Sequence, residues 1–345
     1  MNILNGVNGT MKIVMVCLVL LLGFDAVGQG ASLSPYDLKE SYLEKRMRYE
    51  SSATKKIAAE NQQELDRLVR VLEENAPNSY EFHLVKYING NFDLSLKDHL
   101  FKAYELKPDE QQVKREMFGY YALTENNGKQ KEFAKLIEAS YTQNTLNYYK
   151  LLTSNSKIKT LFLSGEADAY PVLVLQSLGK IRKDIELINL DFLLNDKYRM
   201  RVQNRIGMSN TPFAGQEHLF IHAANAALSS GVYFSSTISQ KYLRKQADQY
   251  FLTGLYYQYK CANQLAELEA FWKNGQQSLN GLSLKSSTEK RLYSNFLPPL
   301  LTLYKIKMEQ AEKDAPLRKD IQTLAKKVGK ESAVEEILKV YDQIE

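Results

Sequence analysis

Apolar positions recur at three- and four-residue steps through most of the chain, and that spacing predicts helices. Leu65, Leu68, Val69 and Leu72 form the stripe of an amphipathic helix, stopped at Ala76-Pro77-Asn78-Ser79. Phe82, Val85 and Tyr87 mark a second helix, Gly90-Asn91 a turn, and Leu96, Leu100 and Ala103 the returning helix. Phe118, Tyr121 and Leu123, then Asn126-Asn127-Gly128, then Phe133, Leu136 and Ile137 repeat the arrangement. From Lys157 the period changes. Thr160-Leu161-Phe162-Leu163 reads as a buried strand, Pro171 to Leu178 as a helix with the proline in its first turn, and Ile185 to Asn189 as a second strand. Strand, helix and strand in so short a span form a βαβ unit with parallel strands. Helices are expected near Leu193–Val202 and Gln216–Leu228, and a third strand over Val232–Thr237. Tyr242, Leu243 and the Tyr250–Tyr259 stretch are expected to be helical, although aromatic enough for a strand. Beyond Cys261 the helical period returns. Leu265, Leu268, Phe271 and Trp272 share a face, Asn280-Gly281 marks a loop, and Leu292, Phe296 and Leu300 continue with a kink at Pro298-Pro299. Stripes at Ile321, Leu324 and Val328 and at Val334, Ile337, Leu338 and Tyr341 complete the chain. The expected fold is mostly α with a small central α/β unit: a helical-hairpin solenoid packed on a short parallel-sheet βαβ element. The regions run over 30–156, 157–260 and 261–345, after a leader over 1–29.

The first hairpin resembles a tetratricopeptide repeat. Tyr87, Ala103 and Pro108 stand at the repeat's separations, and a unit of about 34 residues would run from Pro77 to Glu110. Leu84 stands where the repeat prefers a small residue, and the second hairpin lacks the closing proline. An irregular helical domain is the alternative.

The leader rests on Lys12, the apolar run Ile13–Gly23 and the small residues of Ala26-Val27-Gly28-Gln29. The run is shorter than the roughly 20 residues that span a bilayer and fits a secretory signal peptide cleaved near Gln29. Met1 or Met11 serves as the start. Cys17 lies inside the apolar core, so lipidation is not expected, and the mature chain would keep Cys261 alone. The expectation is a periplasmic or secreted protein with no transmembrane span in its mature part.

Composition changes this picture little. With 44% hydrophobic and 25% charged residues, the 345-residue chain has the make-up of a folded globular protein. Its 45 basic and 40 acidic residues leave a net charge of +5, too small and too evenly spread to call for nucleic acid. The chain has no G-x-x-x-x-G-K-[ST], G-x-S-x-G or H-E-x-x-H motif. His218 and His222 would share one helix face but lack a third ligand, and Cys261 lacks a histidine partner; no metal, cofactor or catalytic residue is expected.

The one candidate site is the acidic loop Ser164–Pro171 after the first strand, with ligand-binding candidates Gly165, Glu166, Asp168, Asn189 and Asp191. Ligands bind beyond the carboxyl ends of parallel strands. The alternative is local, with Glu166 or Asp168 capping the following helix.

These residues belong to a longer string. Thr160-Leu-Phe-Leu-Ser-Gly-Glu-Ala-Asp-Ala-Tyr-Pro-Val-Leu is followed by Gln176, Gly179, Arg182-Lys183-Asp184 and Ile188-Asn189-Leu190. It resembles the soluble extracytoplasmic region of the bacterial protein O-mannosyltransferase-like membrane glycosyltransferases. Gly165, Asp168, Pro171, Gln176, Gly179, Arg182, Asp184 and Asn189 match that pattern. Val232-Tyr233-Phe234, Tyr242-Leu243 and Gly254-Leu255-Tyr256-Tyr257 are similar to later blocks. Glu166, Ala167, Ala169 and Ser230-Gly231 depart from it, and the multi-span membrane part expected to carry the transferase chemistry has no counterpart here. The resemblance, over about 100 residues, implies a free-standing relative of the accessory domain and carries over no active site. The expected function is an exported, non-catalytic adaptor of the cell envelope that holds a protein partner on its helical hairpins. The alternative is a glycan-related enzyme or glycan-binding domain using loop 164–171.

Overall fold

The structure is a computed structural model that describes residues 33–50, 57–208, 217–228, 230–279 and 281–344. The leader over 1–29 and Asn280 lie outside the described residues, as do the side chains of His218 and His222.

Among the described residues seven helices precede the first strand: α1 Pro35–Glu50, α2 Ala59–Asn75, α3 Tyr80–Asn89, α4 Lys97–Leu106, α5 Gln111–Leu123, α6 Asn127–Glu138 and α7 Gln143–Leu152. Local chemistry sets several starts. Ser79 accepts a hydrogen bond from the Phe82 N–H, Asn126 from the Lys129 N–H and Thr142 from the Thr145 N–H. Asn126 therefore opens α6, and Asn127-Gly128 belong to that helix rather than to a turn. The stripe Leu65, Leu68, Val69 and Leu72 is buried as the period requires. α3 packs on α4, and α5 on α6. The turn after α3 places Asn91 and Phe92 at φ 49° and 69°, a conformation bulky residues seldom adopt. It is held from outside the hairpin. The Phe92 ring meets Phe192 edge-on at 5.2 Å, and its carbonyl accepts from Asn195 Nδ2 at 3.2 Å.

The centre is a five-stranded mixed sheet with order β2-β1-β3-β5-β4. The strands are β1 Thr160–Leu163, β2 Glu186–Asn189, β3 Val232–Ser235, β4 Tyr250–Leu252 and β5 Tyr256–Tyr259. β1 runs parallel to β2 on one side, Phe162 opposite Ile188, and to β3 on the other, Phe162 opposite Phe234. The two phenylalanine rings stack at 4.7 Å. β3–β5 and β4–β5 are antiparallel. The fold is thus mostly α with a small α/β unit, as expected from the pattern.

Three expectations around the sheet are corrected. The Tyr250–Tyr259 stretch is the β4–β5 hairpin and not a helix. Gly254 breaks it at φ 145°, where an added Cβ would lie 2.9 Å from the Phe271 ring, so only glycine fits that corner. The helix between β1 and β2, α8, spans Glu166–Ser177, so Pro171 stands in its interior and not its first turn. Leu193 lies in a 3-10 turn, and the next helix, α9 Asp196–Arg205, starts after Asn195, whose side chain accepts from the Tyr198 N–H. α10 covers Glu217–Ala227.

The last region holds α11 Gln264–Leu279, α12 Ser287–Tyr293, α13 Leu297–Glu309, α14 Ala315–Val328 and α15 Glu331–Tyr341. Pro298 and Pro299 fall in the first turn of α13, where missing N–H groups cost nothing, so they begin a helix instead of kinking one. α6 and α7 pack on α8, and α12 packs on α7. The last region meets the α/β unit through α11, where Gln264 Nε2 donates to the Leu252 carbonyl at 2.9 Å and Phe271 lies against Gly254.

Candidate functional site

The sheet order places a topological switch point between β1 and β3. The chain leaves β1 for β2 on one side and returns to β3 on the other, and ligands of open α/β sheets favour that crevice. The five candidate residues gather around the carboxyl ends of these strands but fall into three separate arrangements.

Gly165, Asn189 and Asp191 form a lock. Gly165 turns the chain out of β1 at φ 84°, ψ 150°, a region open essentially to glycine alone. Its N–H donates to Asp191 Oδ2 at 2.5 Å, and Ser164 Oγ donates to Oδ1 at 3.4 Å. The Asp191 N–H in turn donates to Asn189 Oδ1 at 3.1 Å. The ends of β1 and β2 are tied through one carboxylate.

Glu166 faces α5. Its carboxylate pairs with Arg115 at 3.4 Å, and the guanidinium also lies over the Tyr141 ring at 5.9 Å. Crowding by the packed helices pushes the Glu166 pKa up, while Arg115 pulls it the other way.

Asp168 points into the crevice itself and is buried. Its Oδ1 accepts from Ser235 Oγ at 3.3 Å, and Ser235 Oγ shares a 2.8 Å hydrogen bond with Thr237 Oγ1. Tyr148 and Tyr149 of α7 are buried there as well, and Asn295 Nδ2 donates to the Tyr148 hydroxyl at 3.3 Å. Burial, then the Asp168 carboxylate, hold the Tyr149 hydroxyl well above its ordinary pKa. Glu166 and Asp168 thus meet different partners and do not form a carboxylate pair. The segment read as a loop is, from Glu166 on, the first turns of α8.

The other matched positions hold the corner after α8. Gln176 Nε2 donates to the Ile185 carbonyl at 2.8 Å, Gly179 takes φ 70°, and Arg182 donates to the Asn155 carbonyl at 2.7 Å and pairs with Asp184. Each of these residues serves the path of the chain.

An open cleft lies elsewhere, between α4, α5 and α6, with a volume of about 250 Å³. Phe133 and Met117, both buried, make its floor. Tyr104 meets Phe133 at 5.3 Å and Tyr121 meets it at 5.5 Å, and Phe101 stands at the mouth, 36% exposed. Lys129 and Glu132, paired at 2.9 Å, make a charged rim. The periodicity reads Tyr121 and Phe133 simply as core positions. The available signal was a surplus of aromatic residues on short helices.

Cys261 is half-buried, and burial raises its thiol pKa, the opposite of an activated nucleophile. Among the described residues no three His, Cys, Asp or Glu side chains converge on a metal position. No described helix is long and apolar enough to cross a membrane. No protein-family model, curated protein or solved structure matches the chain.

Proposed function

We propose that the protein is an exported, non-catalytic adaptor of the cell envelope that holds a protein partner on its helical hairpins, the cleft between α4, α5 and α6 being the holding surface. The observation that supports this reading is the cleft's make-up. Its aromatic walls, buried methionine floor and charged rim are the composition of a site that takes an apolar anchor from a partner. Asp168, Asp191 and Glu166 meanwhile hold internal partners, which weighs against the glycan reading of 164–171. On this proposal the likeness to the glycosyltransferase accessory region describes shared architecture. Export rests on the leader alone.

The test places a photo-crosslinking amino acid at Phe101 in the host cell, with exposed Lys319 on α14 as control. A discrete crosslinked species at 101 that is absent at 319, and lost on Tyr121→Ser, is the expected result. Equal labelling at both positions contradicts the adaptor reading. Recovery of the full-length chain from the cytoplasm contradicts export.

A further inference from the structure

The α3–α4 hairpin brings two histidines together that the sequence keeps sixteen positions apart. His83 Nδ1 and His99 Nδ1 lie 2.9 Å from each other, with ring centroids at 5.1 Å and planes at 43°. Phe82 contacts both rings, at 5.2 Å and 5.6 Å. Both histidines are half-buried, so solvent reaches the pair. As a neutral pair, one Nδ1–H donates to the other ring's lone pair. The same separation is also the edge of a coordination sphere. Two metal–imidazole bonds of about 2.0–2.1 Å meeting at a right angle place their nitrogens about 2.9 Å apart.

We propose that His83 and His99 are a two-imidazole site for a divalent transition metal, Cu²⁺ or Ni²⁺ by preference, that clips α3 to α4. A right angle between ligands suits the square-planar and tetragonal geometry of these ions better than the tetrahedron of zinc. Binding needs both Nδ1 lone pairs. The single Nδ1 proton of the pair moves to Nε2 of its own ring, and no net proton is released. Charge around the pair is mixed: Lys86 and Lys102 oppose a cation, and Glu73 and Asp98 favour one. Burial, followed by His99 for His83 and by Lys86 for His99, lowers both pKa values, the direction that favours the neutral rings a metal needs. Among the described residues no third His, Cys, Asp or Glu joins the pair, so water completes the sphere and the ion exchanges readily.

The test uses the untagged chain titrated with CuSO₄ or NiCl₂, read by melting temperature and by the Cu²⁺ electron paramagnetic resonance spectrum. The expected results are a raised melting temperature and a spectrum with two imidazole nitrogens. Both are lost in His83→Gln and in His99→Gln, and both survive in the His218→Gln/His222→Gln variant. The His218→Gln/His222→Gln variant keeps the test decisive even where a His83 or His99 variant folds poorly, because only His83 and His99 remain there to give a spectrum with two imidazole nitrogens. An unchanged melting temperature in the unmodified chain, a spectrum without imidazole nitrogen, or loss of the signal only in the His218/His222 variant each overturns the proposal.

Discussion

The Tyr149 hydroxyl supplies the hydrogen-bond donor that Pro171 lacks. Within α8 the carbonyl of Ala167 faces residue 171, which has no N–H to give, and Tyr149 of the neighbouring helix donates to that carbonyl at 2.8 Å. A helix with an internal proline is thereby kept intact across an inter-helix contact. Tyr149→Phe removes that donor and leaves the carbonyl of the exposed Ala167 to water, and is expected to cost about 0.5–1.5 kcal/mol. Pro171→Ala restores an intrahelical donor, so the tyrosine's loss should hurt less in that background. Denaturant unfolding of the two single variants and the double variant gives the coupling. Strict additivity would show that the hydroxyl and the proline are unrelated.

That pair also marks the limit of what the sequence made legible. The apolar period is a property of each helix alone, so the stripe on α2 and the strands β1, β2 and β3 could be read directly. Pro171 could not be placed correctly, because the group that tolerates it sits on another helix 22 positions earlier. The Tyr250–Tyr259 stretch was ambiguous for a related reason. Tyrosine-rich segments suit either state, and the Gly254 corner takes its meaning from Phe271, a contact no local window contains. Of the candidate site, the neighbourhood was legible and the partners were not. Gly165, Asn189 and Asp191 do meet, but as a lock. Glu166 and Asp168, two positions apart, turn toward Arg115 and Ser235, which lie 51 and 67 positions away.

The lock at the end of β1 should be sensitive at both of its halves. Gly165→Ala forces a side chain into a glycine conformation, at about 1–3 kcal/mol. Asp191→Ala removes the acceptor of the Gly165 N–H, at a similar cost of roughly 1–3 kcal/mol. Asp191→Asn keeps one acceptor and should lose less. Thermal unfolding of the three variants checks this order; a neutral Asp191→Ala would mean that the 2.5 Å contact contributes nothing.

Asp168 is expected to act on stability rather than on partner capture. The Ser235 Oγ that donates to it is fully buried, and truncating the carboxylate removes one of that hydroxyl's two side-chain partners, Thr237 Oγ1 being the other. Asp168→Ala should therefore cost about 1–3 kcal/mol, with Ser235→Ala smaller because Thr237 keeps a local arrangement. Crosslinking from position 101 should be unaffected in both. A stable Asp168→Ala protein that had lost its partner would instead return function to the switch point.

Glu289 gives a pH dependence whose direction follows from its surroundings. The side chain is buried where α12 meets the start of α7. It accepts from Thr142 Oγ1 at 2.7 Å and Asn144 Nδ2 at 3.0 Å, and from the N–H groups of Lys285 at 2.8 Å and Ser286 at 3.3 Å. Burial alone would raise its pKa, but these four donors together outweigh it and leave the carboxyl below its ordinary value. A depressed folded-state pKa means that the unfolded chain takes up the proton first as pH falls. The stabilisation is thus complete above the unfolded value, about 4.3, and is lost progressively as pH falls below it through the folded value. Glu289→Gln replaces a charge-accepting site with an amide whose NH₂ faces donors, and should cost about 1–3 kcal/mol at pH 7. Below the folded pKa the native glutamate is itself protonated, and the gap between the two proteins should close. Urea unfolding of both at pH 7, 5 and 3.5 measures that gap. A difference of constant size across the series would show that the carboxylate's charge is not what binds α12 to α7.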